Sequence, residues 1–324
     1  MATLRPDSRV LVTGGAGFIG SALIAELNIR GVDDILVVDI LGTDDKWKNL
    51  PGLRFRDYLE YPAFLRLLAD PGPVLGEFDF IFHLGACSAT TERDASYLVE
   101  NNYAFTRDLA SLALRNSIRF VYASSAATYG DGAAGMDDRE TNLHRFRPLN
   151  MYGYSKHMFD LYACRTGVLD RIAGVKYFNV FGPNEYHKGD MRSLVCKAHS
   201  QILQSGKIRL FKSHRPDYTD GGQMRDFLYV KDAVAMTIHL AERPDANGLF
   251  NLGSGVARTW LDLAQALFAA MGLPPEIEFI DMPESIRDQY QYHTCADISR
   301  LRDTGYTAEV TSLETAVADY VKNY

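Results

Sequence analysis

Apolar positions along the chain follow two alternating rhythms. Short, largely apolar runs at residues 10–12, 35–38, 78–84, 119–123 and 175–178 read as strands, those at 10–12 and 35–38 unbroken. Between them the apolar residues recur at helical spacing. Residues 21–30 place Ala22, Leu23, Ala25 and Leu27 along the turns, and residues 97–116 align Leu98, Phe105, Leu109, Leu112 and Ala113. Residues 61–69 and 152–164 are further helices, the first stopped by Pro71-Gly72-Pro73. Leu53-Arg54-Phe55-Arg56 is expected as a third strand. Strand alternating with helix predicts an α/β fold built on a doubly wound parallel sheet.

Beyond Pro183 the rhythm changes. Residues 193–204, 231–242 and 259–271 read as helices, and residues 226–230 and 250–252 as short strands. Polar, glycine-bearing loops separate them. The expected division is a larger doubly wound domain of residues 1–178 plus about 226–253. Residues of about 179–225 and 254–324 would form a smaller, interleaved C-terminal α/β domain. Such a domain would lie across the carboxyl ends of the strands, where open α/β sheets bind ligands.

Composition narrows the function. The 324 residues are 47% apolar and 23% charged, with a net charge of −7, and no basic run stands out. Nucleic acid is therefore not the expected partner. No apolar run has the length of a membrane span, and the first eight residues carry no apolar leader core. Cys87, Cys164, Cys196 and Cys295 are scattered, without the spacing of a zinc site, and read as reduced thiols of a cytoplasmic protein with no metal.

The run at residues 10–12 leads into Thr13-Gly14-Gly15-Ala16-Gly17-Phe18-Ile19-Gly20 and then a helix. Strand, glycine turn and helix is the dinucleotide-binding opening. Gly14 permits the tight turn, Gly17 lets backbone amides approach a pyrophosphate, and Gly20 lets the helix pack close to its strand. The helix N-terminus adds partial positive charge. Asp39 ends the next strand, about 20 residues on, where a ribose-binding acid belongs. The small residues Gly85, Ala86, Cys87 and Ser88 follow Leu84 at another strand's end, suiting a loop that passes close to a cofactor.

Tyr152 and Lys156 lie four apart on a helix and so share a face. A phenol is normally protonated at neutral pH, and a nearby lysine cation is expected to lower its pKa and make it a usable base. Ser125, upstream at the end of a strand, can hydrogen-bond a substrate hydroxyl while Tyr152 takes its proton.

Together with Tyr177-Phe178-Asn179-Val180-Phe181-Gly182-Pro183, Arg225-Asp226-Phe227-Leu228-Tyr229-Val230 and Asn251-Leu252-Gly253, these motifs resemble the extended short-chain dehydrogenases/reductases, the family of nucleotide-sugar epimerases and dehydratases. Rarer stretches resemble the branch acting on ADP-linked heptoses. They are Gly85-Ala86-Cys87-Ser88-Ala89-Thr90-Thr91-Glu92, Asn101-Asn102-Tyr103, Ser124-Ser125-Ala126-Ala127-Thr128 and His187-Lys188-Gly189. The resemblance implies inversion at C6 of an ADP-sugar, in the supply of lipopolysaccharide core heptose, by an NADP-dependent homo-oligomer of up to five copies. NAD is the alternative cofactor. It implies Tyr152 and Lys188 as the two acid/base groups, with Lys156 orienting the cofactor ribose. Phe18, Ile19, Asp39, Ile40, Lys46 and Asn101 would hold the cofactor. Asn179, Val180, Phe211, Lys212, Ser213, His214, Arg225 and Tyr290 would meet the substrate, Arg225 pairing bidentately with its diphosphate.

Three positions depart from the branch. Asp190 and Lys197 replace other residues on the substrate side, and Tyr61 stands where a second cofactor-binding lysine can occur. A dehydratase or reductase on the same scaffold is the competing reading. Family dehydratases carry Asp-Glu beside the catalytic hydroxyl, whereas Ala126 and Ala127 occupy those positions here. A non-catalytic NADP-sensing protein ranks last, because Tyr152 and Lys156 are both kept.

Overall fold

A computed structural model describes residues 3–69, 73–287 and 290–324. Pro71 and Gly72 of the expected helix stop lie outside the described residues. In chain order the first elements are β1 (Val10–Thr13), α1 (Phe18–Ile29), β2 (Ile35–Asp39), β3 (Asp57–Glu60), α2 (Tyr61–Ala69) and β4 (Phe80–His83). They are followed by α3 (Ala95–Leu98), α4 (Phe105–Arg115), β5 (Arg119–Ser125), α5 (Met151–Arg165), β6 (Ala173–Tyr177) and β7 (Asn179–Phe181). Then come α6 (Leu194–Ser205), β8 (Ile208–Phe211), β9 (Met224–Tyr229), α7 (Val230–Ala241), β10 (Gly248–Leu252), β11 (Ala257–Thr259) and α8 (Trp260–Met271). The chain ends with β12 (Ile277–Ile280), α9 (Glu284–Arg287), α10 (Ser299–Asp303) and α11 (Leu313–Asn323).

Seven strands form one parallel sheet in the order β10-β6-β5-β4-β1-β2-β3, a Rossmann-like arrangement. The apolar runs have a direct cause. Val10, Val12, Ile35, Val37, Phe80 and Phe82 pack into one core, while Leu11, Leu36, Val38 and Ile81 pack into the core on the opposite face. Successive side chains alternate sides, so a sheet covered by helices on both faces favours apolar residues along the whole strand. Two small sheets, β11-β9-β7 and β12-β8, stand apart from the large one. The late strand β10 returns to pair with β6.

Two expectations are corrected. The third strand is not 53–56 but β3, which pairs Asp57 with Leu36 of β2. Leu53 and Phe55 are half-buried against the core without joining the ladder. Arg56 N donates to Ile35 O, and pairing begins only after it. Apolar burial and ladder pairing are separate demands, and this edge strand carries exposed Asp57 and Glu60, which suit an unpaired rim. The expected helix 97–116 is α3 and α4 joined by a π-helical stretch, Val99–Ala104. Widened turns of that kind are frequent at functional sites.

Candidate active site

The glycine turn joins β1 to α1. Gly14 has φ +70°, a left-handed conformation, and a Cβ there would stand 2.6 Å from Gly85 N. At Gly20 a Cβ would overlap the carbonyl oxygen of Gly14. Neighbouring backbones therefore need the missing side chains. The first turn of α1 has neither a side-chain cap nor an acidic residue, which leaves its amides for an anion. At the tip of β2, Asp39 accepts from Ala16 N (2.9 Å) and Ile40 N (2.7 Å) and pairs with Lys46 Nζ at 3.2 Å. A cradle that excludes side chains, a free helix N-terminus and a carboxylate at the next strand's tip fit a dinucleotide. Ile40 is exposed beside it.

The loop from Leu84 to Ser88 runs against this turn. Gly85 N donates to Thr13 Oγ1 at 3.1 Å. Cys87 is clamped through both backbone groups by Asn102, whose Oδ1 accepts from Cys87 N (2.9 Å) and whose Nδ2 donates to Cys87 O (3.0 Å). Asn102 Nδ2 also donates to Ser155 Oγ of α5 at 2.9 Å. His83 bridges Thr13 Oγ1 and Thr106 Oγ1 (2.7 and 2.8 Å), and burial with the Lys156 charge holds it neutral. Asn101, the neighbour singled out from sequence, is half-buried, and its Nδ2 donates to Tyr97 O.

The π-helical stretch thus turns the adjacent asparagine into the clamp. The quoted Asn101-Asn102 pair was a signal for it, but helical phase could not choose between the two.

Ser125 ends β5, and Tyr152 and Lys156 lie on the first turns of α5. Asn150 caps that helix, accepting from Gly153 N at 2.8 Å. Lys156 is buried and donates from Nζ to Ala123 O at 2.8 Å. Burial pushes its ammonium down to about 8, with Asp160 opposing. Lys156 was expected to depress the phenol of Tyr152. Instead burial pushes that phenol up, with Ser125 opposing the rise. Desolvation sets the direction, and the Lys156 ammonium is engaged by the Ala123 carbonyl.

Beneath Ser125 lies a buried polar network missed from sequence. Asp160 accepts from Lys176 Nζ (2.6 Å), Tyr122 Oη (2.8 Å) and Ser124 Oγ (2.8 Å), and Lys176 also donates to Thr128 Oγ1 at 2.7 Å. It ties α5 to the tips of β5 and β6. Asp160 sits one turn beyond Lys156, a spacing that could have flagged it.

Lys188 comes from the far side, on the 3₁₀ stretch Tyr186–Met191. Its Nζ lies 5.5 Å from the Phe18 ring centroid, and burial pushes its ammonium down, with Glu185 opposing. Phe18 and Ile19 begin α1, so Lys188 faces the glycine turn.

The residues expected on the substrate side form two groups. Arg225 is buried between the rings of Trp260 (5.6 Å) and Tyr290 (5.0 Å). Its Nη1 donates to Met224 O. Phe211 packs edge-on to Tyr290, Ser213 N donates to Asp220, and His214 N donates to Tyr292 Oη. Asn179 Oδ1 is within 3.4 Å of Thr294 Oγ1, and Val180 stands beside it in β7. Lys212 instead pairs with exposed Asp281, and Lys197 Nζ donates to the carbonyl of exposed Asp190. Tyr61 packs edge-on against Phe105 at 4.9 Å, which accounts for an aromatic residue there.

No helix among the described residues is long and apolar enough to cross a membrane. With this geometry in view, the chain matches the NAD dependent epimerase/dehydratase family over residues 10–253. It is 54% identical over 314 residues to an ADP-L-glycero-D-manno-heptose-6-epimerase of Nitratidesulfovibrio vulgaris, covering 97% of each chain. Its fold superposes on the Helicobacter pylori enzyme of the same name with a TM-score of 0.81, at 26% identity, covering 98% of this chain and 96% of that one. The Thermus thermophilus UDP-glucose 4-epimerase complexed with NAD gives a TM-score of 0.74 at 25% identity, covering 97% and 99%.

Proposed function

The chain belongs to the NAD dependent epimerase/dehydratase family, and from that premise we propose that it inverts C6 of an ADP-glycero-manno-heptose, in the supply of lipopolysaccharide core heptose. The carbinol is oxidised transiently to a ketone and re-reduced on the other face. One observation carries the reading. Two proton-transfer side chains withdrawn from bulk water, Tyr152 and Lys188, approach from separate elements. Tyr152 stands by the tip of β5 and Lys188 by the turn after β1, with β4 between. Strand spacing sets those tips about 10 Å apart.

The glycine turn and the α1 N-terminus would hold the pyrophosphate of a nicotinamide dinucleotide, whose chemistry would be to take up hydride from C6 and give it back. The protein's own work is proton traffic and orientation. Ser125 hydrogen-bonds the reacting hydroxyl, and Tyr152 exchanges its proton in one orientation of the sugar. Lys188 does so in the other, and its burial favours the neutral amine that a base requires. Buried Arg225, packed against the Trp260 and Tyr290 rings, offers a fork to the diphosphate. Asn179, Val180, Phe211, Ser213, His214 and Tyr290 line the same side.

We propose NADP as the cofactor, with Lys46 the cation that would meet a 2′-phosphate. NAD is the second reading, favoured by the Asp39 carboxylate and by Tyr61 being engaged in packing. Assembly is proposed as a homo-oligomer of up to five copies.

Dismutation of an ADP-linked 6-aldehyde analogue tests the two-base site. Tyr152→Phe and Lys188→Met should each slow turnover by about 10²–10⁴-fold, with cofactor retained, and the double variant should be inactive. Lys188→Met at the wild-type rate would contradict the proposal.

A further inference from the structure

Asn49 closes the 3₁₀ turn Asp45–Asn49, which follows β2. Its Nδ2 lies 3.0 Å from Ala16 O, 3.0 Å from Asn184 O and 3.3 Å from His187 Nδ1. Ala16 belongs to the glycine turn, while Asn184 and His187 belong to the segment that carries Lys188. A single amide with two protons therefore serves both walls of the site. The same short turn presents Lys46 to Asp39 Oδ1 (3.2 Å) and Ile40 O (3.0 Å).

Asn184 has φ +75°, left-handed for a non-glycine residue, and its own Nδ2 reaches Ser21 Oγ of α1 at 3.0 Å. Such a backbone persists only where its surroundings hold it. Past it, Glu185 gathers Gly182 N, Ser193 N and Ser193 Oγ, all on its own segment. Links from this segment to the cofactor side include the Asn49 and Asn184 amides, the contact of Lys188 with Phe18, and Thr90 Oγ1 donating to Met191 Sδ at 3.7 Å.

We propose that Asn49 is a positioning residue that fastens the Lys188 segment to the glycine turn, so that the base and the dinucleotide cradle keep one geometry. The proposal rests on the reading of Lys188 as an acid/base group. Misplacing a reacting group by about 1 Å is costly in rate, so the fastening has kinetic consequences.

The test is a brief acetic anhydride pulse on the full chain. Peptide mass spectrometry reads acetylation of Lys188 against the exposed Lys207 and Lys322. Asn49 is half-buried on an outer turn, so Asn49→Ala is expected to fold. In that variant Lys188 should be acetylated about ten-fold faster and kcat should fall about ten-fold, with cofactor content kept. Asn49→Gln, which retains the amide, should recover part of both. Lys188 labelling unchanged in Asn49→Ala overturns the proposal, whatever happens to kcat or cofactor content. Faster labelling with unchanged kcat upholds the fastening and refutes the role of Lys188 as a base.

Discussion

Replacing Asp160 with asparagine should cost this protein a large part of its stability. Asp160 and Lys176 have fully buried side chains 2.6 Å apart. The carboxylate also accepts from Tyr122 and Ser124, each at 2.8 Å. Asparagine preserves the shape but removes the charge, and its NH₂ group must then face donors. Lys176 would keep Thr128 Oγ1 at 2.7 Å and the Tyr129 ring at 5.1 Å, but no counter-charge. Removing one partner of a buried pair costs about 3–5 kcal/mol. Against a total of about 5–15 kcal/mol that is a severe loss. Urea unfolding should show a lower midpoint with an unchanged slope. Lys176→Met should cost a similar amount. The double variant Asp160→Leu/Lys176→Met should cost much less than the sum, because neither charge is then stranded. An Asp160→Asn protein within about 1 kcal/mol of wild type, or costs that add, would refute the reasoning.

Gly14→Ala should yield protein that purifies without nicotinamide cofactor, since its Cβ would meet Gly85 N at 2.6 Å. Denaturing wild type and variant and assaying the supernatants for NADP(H) and NAD(H) checks this, and the wild-type result also decides between the two cofactors. The Lys156 ammonium titrates near 8 when folded, against an ordinary 10.5. Between those values the unfolded chain holds a proton that the folded one lacks, so wild-type stability should rise relative to Lys156→Met from pH about 8 to about 10.5. A flat difference across that window would contradict the depressed value. Arg225→Lys should raise the substrate KM about ten-fold with a smaller change in kcat, because an ammonium cannot offer the bidentate fork; unchanged KM would remove Arg225 from diphosphate binding.

Much of the large sheet was legible because its strands are buried on both faces, and mostly apolar runs mark them. The third strand escaped because its apolar neighbours, Leu53 and Phe55, pack outside the ladder while Asp57 and Glu60 make the pairing. The glycine turn and Asp39 were readable since backbone clearance and a strand-tip acid leave local signatures. Asn102 was not separable from Asn101, because a π-helical stretch shifts the face that each presents. The Asp160–Lys176 pair and the Asn49 amide join residues 16 and up to 138 positions apart. Long-range partners of that kind leave no periodicity in the chain. Local sequence suggested a cation lowering the Tyr152 phenol, yet burial, a property of the whole fold, set the opposite direction.

The central claim is inversion at C6 by transient oxidation. It is tested most directly by incubating the purified protein with ADP-D-glycero-D-manno-heptose in D₂O, with no reductant added, and following C6 by NMR. The account predicts a mixture of both C6 epimers approached from either side, with protium retained at C6 because hydride leaves and returns without meeting solvent. Deuterium at C6, loss of water from the sugar, or an unchanged C6 in protein carrying its cofactor would contradict it.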